Sequence, residues 1–301
     1  MQKIRVLPNF IGIGAPKSGT TWLFKCLQEH PEVYIPSAKE LNFFNYLTID
    51  GRWEEYEQYF ANIPPGCYEA IGEISTRYLD SPRAPQRIKE YIPEARLFVS
   101  LRNPIDQVYS HYWHLSSQNF HQWDTAKIPQ SFEASLDQYE DKLLFPALYY
   151  RHIQNWLSYF ELSQLHIILF DEISNNPHKV FSNLCEFLKI DPNFVPASIQ
   201  SRDSSVRVGV SPRNAVLKKT HKVIYNFLNK QVFHKMKSIV GVQKAVKIKD
   251  KLNVRYLMEK TFFRSGYPPM QASTRQQLQS YFASDIKELE DLIGRSLQHW
   301  K

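Results

Sequence analysis

The sequence predicts an α/β fold of three layers, with a mainly parallel central sheet flanked by helices. Three observations support it. Short apolar runs alternate with helical patterns over most of the chain. The first run ends in a small-residue loop that opens directly into a helical pattern. A basic stretch near 196–265 lacks strand signals and stands apart from this alternation. At 301 residues, one domain of this kind buries roughly 75% of the surface its unfolded chain exposes. The expected organisation is a single domain over 1–301, with a core of 8–195 and 266–300 and a basic helical insertion at 196–265.

Strands are expected at Phe10–Ile13, Tyr68–Ile71, Leu97–Leu101 and Leu165–Phe170, each short, apolar and mostly followed by polar or turn residues. A helix follows the first strand from Thr20 to His30 and stops before Pro31. Pro104 suits the first turn of a helix reaching His114, with Asn103 as its cap. Further helices are expected at Leu148–Phe160, Val180–Leu188 and Thr274–Leu292, the last ending near Gly294. Amphipathic pieces at Val223–Phe233 and Ile239–Leu252 make the basic stretch helical, and Pro268-Pro269 marks its boundary with the closing helix.

Composition narrows the classes. No apolar run approaches the ~20 residues that span a bilayer, and Pro8 interrupts any leader-like N-terminus. Cys26, Cys67 and Cys185 have no metal-like spacing, and an odd number suits small buried residues in a reducing compartment. A cytoplasmic protein is expected. The formal charge of +7 is uneven: residues 201–265 carry sixteen Lys and Arg against three acidic residues. Nucleic acid is not expected as a partner, because the stretch has no helix-turn-helix, zinc or RNA-recognition signature. An anionic saccharide, a carrier-bound acyl chain or peripheral contact with a lipid surface all fit its charge and amphipathic pieces.

The chemistry begins at Phe10-Ile11-Gly12-Ile13-Gly14-Ala15-Pro16-Lys17-Ser18-Gly19-Thr20-Thr21-Trp22-Leu23. A strand, a glycine-bounded loop and a helix N-terminus in this order form an anion cradle, since backbone N–H groups and the helix dipole converge there. The spacing is P-loop-like. A Walker A loop would place its lysine after the second glycine, but Thr20 stands there and Lys17 lies inside the loop. Such a loop suits a phosphate-bearing donor whose leaving oxygen sits beside the loop itself.

Ala15-Pro16-Lys17-Ser18-Gly19-Thr20-Thr21 resembles the 5′-phosphosulfate loop of sulfotransferases that use 3′-phosphoadenosine 5′-phosphosulfate (PAPS). About 80 residues on, Ala95-Arg96-Leu97-Phe98-Val99-Ser100-Leu101-Arg102-Asn103-Pro104 and the following Ile105 to Tyr112 resemble that family's 3′-phosphate element. Ser37-Ala38-Lys39-Glu40-Leu41-Asn42-Phe43-Phe44-Asn45 is similar to the K-E-x-x-F-F segment of the heparan-sulfate-type branch, and Gly72 to Leu79 to its G-E-x-[ST]-P-x-Y-[FL] segment. Ile74 stands where glycan-modifying members often carry lysine, and Thr76 stands where they carry proline.

The resemblance implies a PAPS-dependent sulfotransferase with no metal. Pro16, Lys17, Ser18, Gly19, Thr20, Thr21 and Trp22 would hold the 5′ end of the co-substrate, and Arg102 and Ser110 would bracket its 3′-phosphate. Lys17 would stabilise the leaving phosphate, and Glu40 would deprotonate an acceptor hydroxyl or amine. Lys39 and Asn42 would contact the acceptor. Glu73 either orders the site or caps a turn. Two other readings carry different signatures. A P-loop nucleotide kinase or NTPase needs a lysine after Gly19 and a carboxylate for Mg²⁺. A non-catalytic nucleotide-binding adaptor would use the basic stretch alone.

Overall fold

A computed structural model describes residues 6–46, 48–64, 66–117, 131–200, 210–212 and 263–301. Their contacts fall into two compact units. The larger comprises 1–108, 136–207 and 272–301, and the smaller 109–135 and 208–271.

In the larger unit, β1 (Phe10–Gly14) leads into α1 (Thr20–Glu29), and β2 (Val33–Tyr34) and α2 (Trp53–Glu57) follow. Next come β3 (Ala70–Ile74), α3 (Ala84–Tyr91), β4 (Arg96–Leu101) and α4 (Pro104–Ser117), which continues into the smaller unit. After α5 (Phe132–Gln138) and α6 (Glu140–Leu143) the chain forms α7 (Tyr149–Leu157), β5 (Leu165–Leu169), α8 (Phe170–Asn175), α9 (Pro177–Leu188) and α10 (Ala197–Gln200). The five strands form one parallel sheet in the order β2-β3-β1-β4-β5.

β1 lies at the centre and is buried throughout, which explains its unbroken apolar run: a strand covered on both faces needs no alternation. Trp22, Leu23 and Leu27 of α1 and Phe181, Leu184 and Leu188 of α9 share one core cluster with Phe10, Ile74 and Phe98 of the sheet. The chain closes with the long helix α11 (Ala272–Ile293), which packs against α7. Asp285 of α11 accepts hydrogen bonds from the backbone N–H groups of Tyr150 (3.1 Å) and Arg151 (3.2 Å) at the start of α7, a site where the helix dipole favours negative charge. Gly294, at φ 61°, ends α11 in the left-handed region.

The four expected strands and the helices after β1, β4 and β5 are present with shifted ends. β3 starts at Ala70 rather than Tyr68 and runs to Ile74, carrying Glu73 into the sheet. β2 escaped the sequence reading because two residues leave no pattern. Cys26 and Cys185 are buried, but Cys67 is exposed, contrary to expectation.

In the smaller unit, Trp113 of α4 stacks on Tyr267 with ring centroids 5.9 Å apart, and Tyr109 packs edge-on against Phe132 at 4.9 Å. β6 (Val210–Pro212) and β7 (Phe263–Ser265) pair antiparallel, adding strand where the basic stretch offered no strand signal. The amphipathic pieces at 223–233 and 239–252 lie outside the described residues. No helix of the described residues is long and apolar enough to cross a membrane.

Phe10 of β1 is paired with Gly72 of β3, and a Cβ at Gly72 would collide with the Phe10 carbonyl oxygen and ring. Backbone at the sheet centre cannot yield. Gly72→Ala is therefore expected to lower unfolding stability by about 3 kcal/mol or more. Urea denaturation followed by tryptophan fluorescence measures this, and an unchanged midpoint would contradict the packing.

Candidate active site

The β1–α1 loop is held by its carbonyls. Ser100 of β4 donates its hydroxyl to the Ser18 carbonyl (2.5 Å), and Gln107 of α4 donates its side-chain amide to the Pro16 carbonyl (3.0 Å). Arg102, just past β4, brings Nη1 to 3.5 Å from the Lys17 carbonyl. Ser100 and Gln107 are fully buried. A trans peptide plane points its N–H opposite its carbonyl. Anchoring the carbonyls of 16, 17 and 18 toward β4 and α4 therefore turns the N–H groups of Lys17, Ser18 and Gly19 the other way, as successive donors of an anion nest.

The conformation has a cost. Lys17 has φ 66° and Gly19 φ 85°. A Cβ at Gly19 would also press on Phe170 and Ile173 of α8, so glycine is required there twice over. α1 begins immediately afterwards with no side-chain cap and no acidic residue in its first turn, which leaves its positive end available to an anion.

Arg102 is half-buried, with its guanidinium 4.9 Å above the Phe170 ring, which fixes the head group while leaving donors open. Thr20 is buried at the helix start and Thr21 is exposed beside it. Trp22 turns into the core, where its indole N–H donates to the Ser198 carbonyl at 3.3 Å. Ser110 lies in the smaller unit, and its hydroxyl shares a 3.2 Å hydrogen bond with the Tyr267 hydroxyl.

The 37–45 loop meets the start of α1 through Lys39. Its Nζ donates to Thr20 Oγ1 (3.3 Å) and to Glu40 Oε1 (3.1 Å). The Glu40 carboxylate also accepts the Thr76 backbone N–H at 2.7 Å and the Thr76 hydroxyl at 3.0–3.1 Å. Its side chain remains 33% exposed. Four residues from three motifs that are distant in sequence, Thr20, Lys39, Glu40 and Thr76, thus form one connected polar group. Thr76, which stands where the family pattern has proline, supplies an N–H that proline lacks. The Asn42 side-chain amide donates to the Glu40 carbonyl (2.9 Å) and that of Asn45 to the Arg77 carbonyl (3.0 Å), so both asparagines brace the backbone of this region.

Glu73 lies behind this group and is 1% exposed. It accepts hydrogen bonds from the hydroxyls of Tyr56 (3.0 Å), Tyr78 (2.9 Å) and Ser75 (2.6 Å). Burial pushes its carboxyl up to about 7; the three hydroxyls oppose the shift and the nearby Glu40 charge adds to it. Among the described residues, no group of three His, Cys, Asp or Glu is gathered to hold a metal ion.

Residues 7–290 match the family described as the sulfotransferase domain. The chain belongs to the sulfotransferase family. It is 31% identical over 199 residues to the mouse bifunctional heparan sulfate N-deacetylase/N-sulfotransferase 4, covering 62% of this chain and 23% of that protein. It is 28% identical over 312 residues to human bifunctional heparan sulfate N-deacetylase/N-sulfotransferase 3, covering 98% of this chain but 31% of that protein. The membrane-associated sulfotransferase kil1 of Dictyostelium discoideum is 24% identical, with 76% of this chain and 66% of kil1 covered. Among solved structures, a sulfotransferase from Alicyclobacillus acidocaldarius superposes with a TM-score of 0.64 at 25% identity, covering 98% of this chain and 99% of that one. The P-loop-like sulfotransferase fold is thereby established, and with it the three-layer architecture expected from the sequence.

Sequence motifs singled out the β1–α1 loop and the Lys39-Glu40 pair, which the structure joins through Thr20. They did not signal Ser100, Gln107 or Thr76 as supports, because each acts across 36 or more residues of chain.

The Glu73 carboxyl gives a pH test. Its folded value lies above the ordinary 4.5, so between these values the native chain binds more protons than the unfolded one. Stability from this group is therefore greatest below about 4.5 and declines as pH rises toward 7. The stability difference between the wild-type chain and Glu73→Gln should fall by roughly 3 kcal/mol across that window. Urea titrations at several pH values measure it, and a difference independent of pH would contradict the burial of a titrating carboxyl.

Proposed function

We propose that this chain moves the sulfuryl group of PAPS to a hydroxyl or amine of an acceptor, releasing 3′-phosphoadenosine 5′-phosphate (PAP). The observation that carries the reading is the tethered loop, whose outward N–H groups end at an uncapped helix beside Lys39 and Glu40. The 5′-phosphate would lie on the amides of residues 17–21 and the hydroxyls of Thr20 and Thr21. Pro16, Ser18, Gly19 and Trp22 shape that cradle through backbone conformation and core anchoring. Arg102 would take the 3′-phosphate, the group that separates this co-substrate from an ordinary nucleotide.

In the transfer, the acceptor atom attacks sulfur in line, and the bond from sulfur to the bridging phosphate oxygen breaks. The acceptor proton passes to Glu40. Lys17 neutralises the charge that grows on the bridging oxygen, and Lys39 and Thr76 hold the Glu40 carboxylate toward the loop. Family membership supports PAPS as the donor.

The acceptor is a second part of the proposal. The two N-sulfotransferase relatives are named for heparan sulfate, and residues 201–265 carry a net charge of +13 here. Together these support an anionic polysaccharide. Its Michaelis constant should then climb steeply with salt, and a flat response would remove charge as the recruiting force.

Radiolabelled PAPS with a panel of polysaccharide, lipid and phenolic acceptors tests the activity itself. Lys17→Ala should reduce turnover by about 10²–10³-fold and Glu40→Gln by about 10²–10⁴-fold. Arg102→Ala should instead weaken PAP binding about 10–100-fold, the scale of lost charged hydrogen bonds. Near-normal turnover by both of the first two variants would overturn the assignment. Greater thermal stabilisation by ATP with Mg²⁺ than by PAP would favour a kinase or NTPase.

A further inference from the structure

We infer that Glu73 is the positioning residue that locks the Glu40 loop in place, acting through two hydroxyls that each connect it to a loop amide. The inference rests on the proposed role of Glu40 and adds a device that holds that residue.

The geometry forms two parallel relays. Ser75 donates its hydroxyl to Glu73 Oε2 (2.6 Å) and accepts the Asn42 backbone N–H (2.9 Å). Tyr78 donates its hydroxyl to Glu73 Oε1 (2.9 Å) and accepts the Phe44 backbone N–H (3.4 Å). A hydroxyl has one proton to give and lone pairs to receive. Once a carboxylate takes the proton, the lone pairs are committed to the other side, where the loop amides lie. A third hydroxyl, from Tyr56 of α2, donates to Glu73 Oε1 (3.0 Å). The same Tyr56 ring is covered by Phe43 (4.9 Å, stacked) and Phe44 (5.1 Å). The carboxylate therefore orders the polar and the aromatic attachments of one loop.

That loop needs ordering. Glu40 has φ 63° and Asn42 φ 52°, a left-handed conformation that non-glycine residues adopt only when the surroundings impose it. Glu40 N–H donates to the Ile74 carbonyl (3.1 Å), one residue beyond Glu73, so loop and strand meet at the carboxylate. The ionisable groups facing Glu73 are the Tyr56 phenol from α2, the Tyr78 phenol after β3, and the Glu40 charge from the loop. Among the described residues, these groups around Glu73 include no cation, which suits an acceptor that aligns hydroxyls rather than an ion pair.

A glutamine at 73 keeps the size but presents an N–H₂ group where one hydroxyl now donates, so at least one relay must turn over. The deciding measurement is amide hydrogen exchange of the full chain at about pH 8, where Glu73 is ionised. In Glu73→Gln, at least one of the Asn42 and Phe44 amides, the one whose hydroxyl faces the new N–H₂ group, should exchange at least ~10-fold faster while β1 and β4 amides stay protected. Tyr78→Phe should release Phe44 and spare Asn42, and Ser75→Ala the reverse. These two variants decide the matter if Glu73→Gln does not fold. A functional readout accompanies them: release of sulfate from PAPS, with water as acceptor. In Glu73→Gln its maximal rate should fall ~10-fold or more while half-saturating PAPS stays within about twofold.

Unchanged protection of Asn42 and Phe44 in the variants would overturn the inference. So would weakened PAPS affinity at an unaltered maximal rate. Failure of the wild-type chain to bind PAP would instead sink the proposed function, and the exchange pattern would still report on the relay.

Discussion

The site depends on one constraint: the carbonyls of the β1–α1 loop are bound from behind. Ser100 and Gln107 are buried polar groups that would each be costly to leave unpaired, and their donors are used on Ser18 and Pro16. Because a peptide plane is rigid, satisfying these carbonyls in the core sets the opposite direction for the neighbouring N–H groups. The anion nest is thus a by-product of core satisfaction. A nucleotide phosphate, as proposed for this loop, would meet donors that are already oriented, and that kind of electrostatic arrangement is effective at a reacting phosphate.

The second loop is fixed by a comparable logic. Thr76 supplies both of its donors to the Glu40 carboxylate, and Lys39 links that carboxylate to Thr20 at the start of α1. The conformation at Glu40 and Asn42 is one that an isolated chain avoids. Hydroxyls aligned by a buried carboxylate hold it in place. One loop therefore presents donors and the other an acceptor, and both are anchored to the ends of central parallel strands, where ligand sites in such sheets arise.

Much of this was legible in the chain. β1 and its loop could be read because a buried parallel strand is a continuous apolar run and a glycine-bounded loop of small residues with one lysine follows it. Glu40 could be placed because the Lys-Glu pair precedes two phenylalanines in a recognisable segment. The supports were not legible. Thr76 is 36 residues from Glu40 and Ser100 is 82 from Ser18, and no local pattern reports a contact that only sheet register creates. β2, with two residues, is too short to show alternation. Glu73, beyond the expected strand, reads as either ordering the site or capping a turn, and the first role becomes visible only when Tyr56 and Tyr78 converge on it.

The most direct test is a crystal structure of the chain bound to PAP. The account predicts the 5′-phosphate within hydrogen-bonding distance of the backbone N–H groups of residues 17–21, with the Pro16 and Ser18 carbonyls still held by Gln107 and Ser100. A nucleotide bound elsewhere, or a loop that turns those carbonyls toward the phosphate, would contradict it.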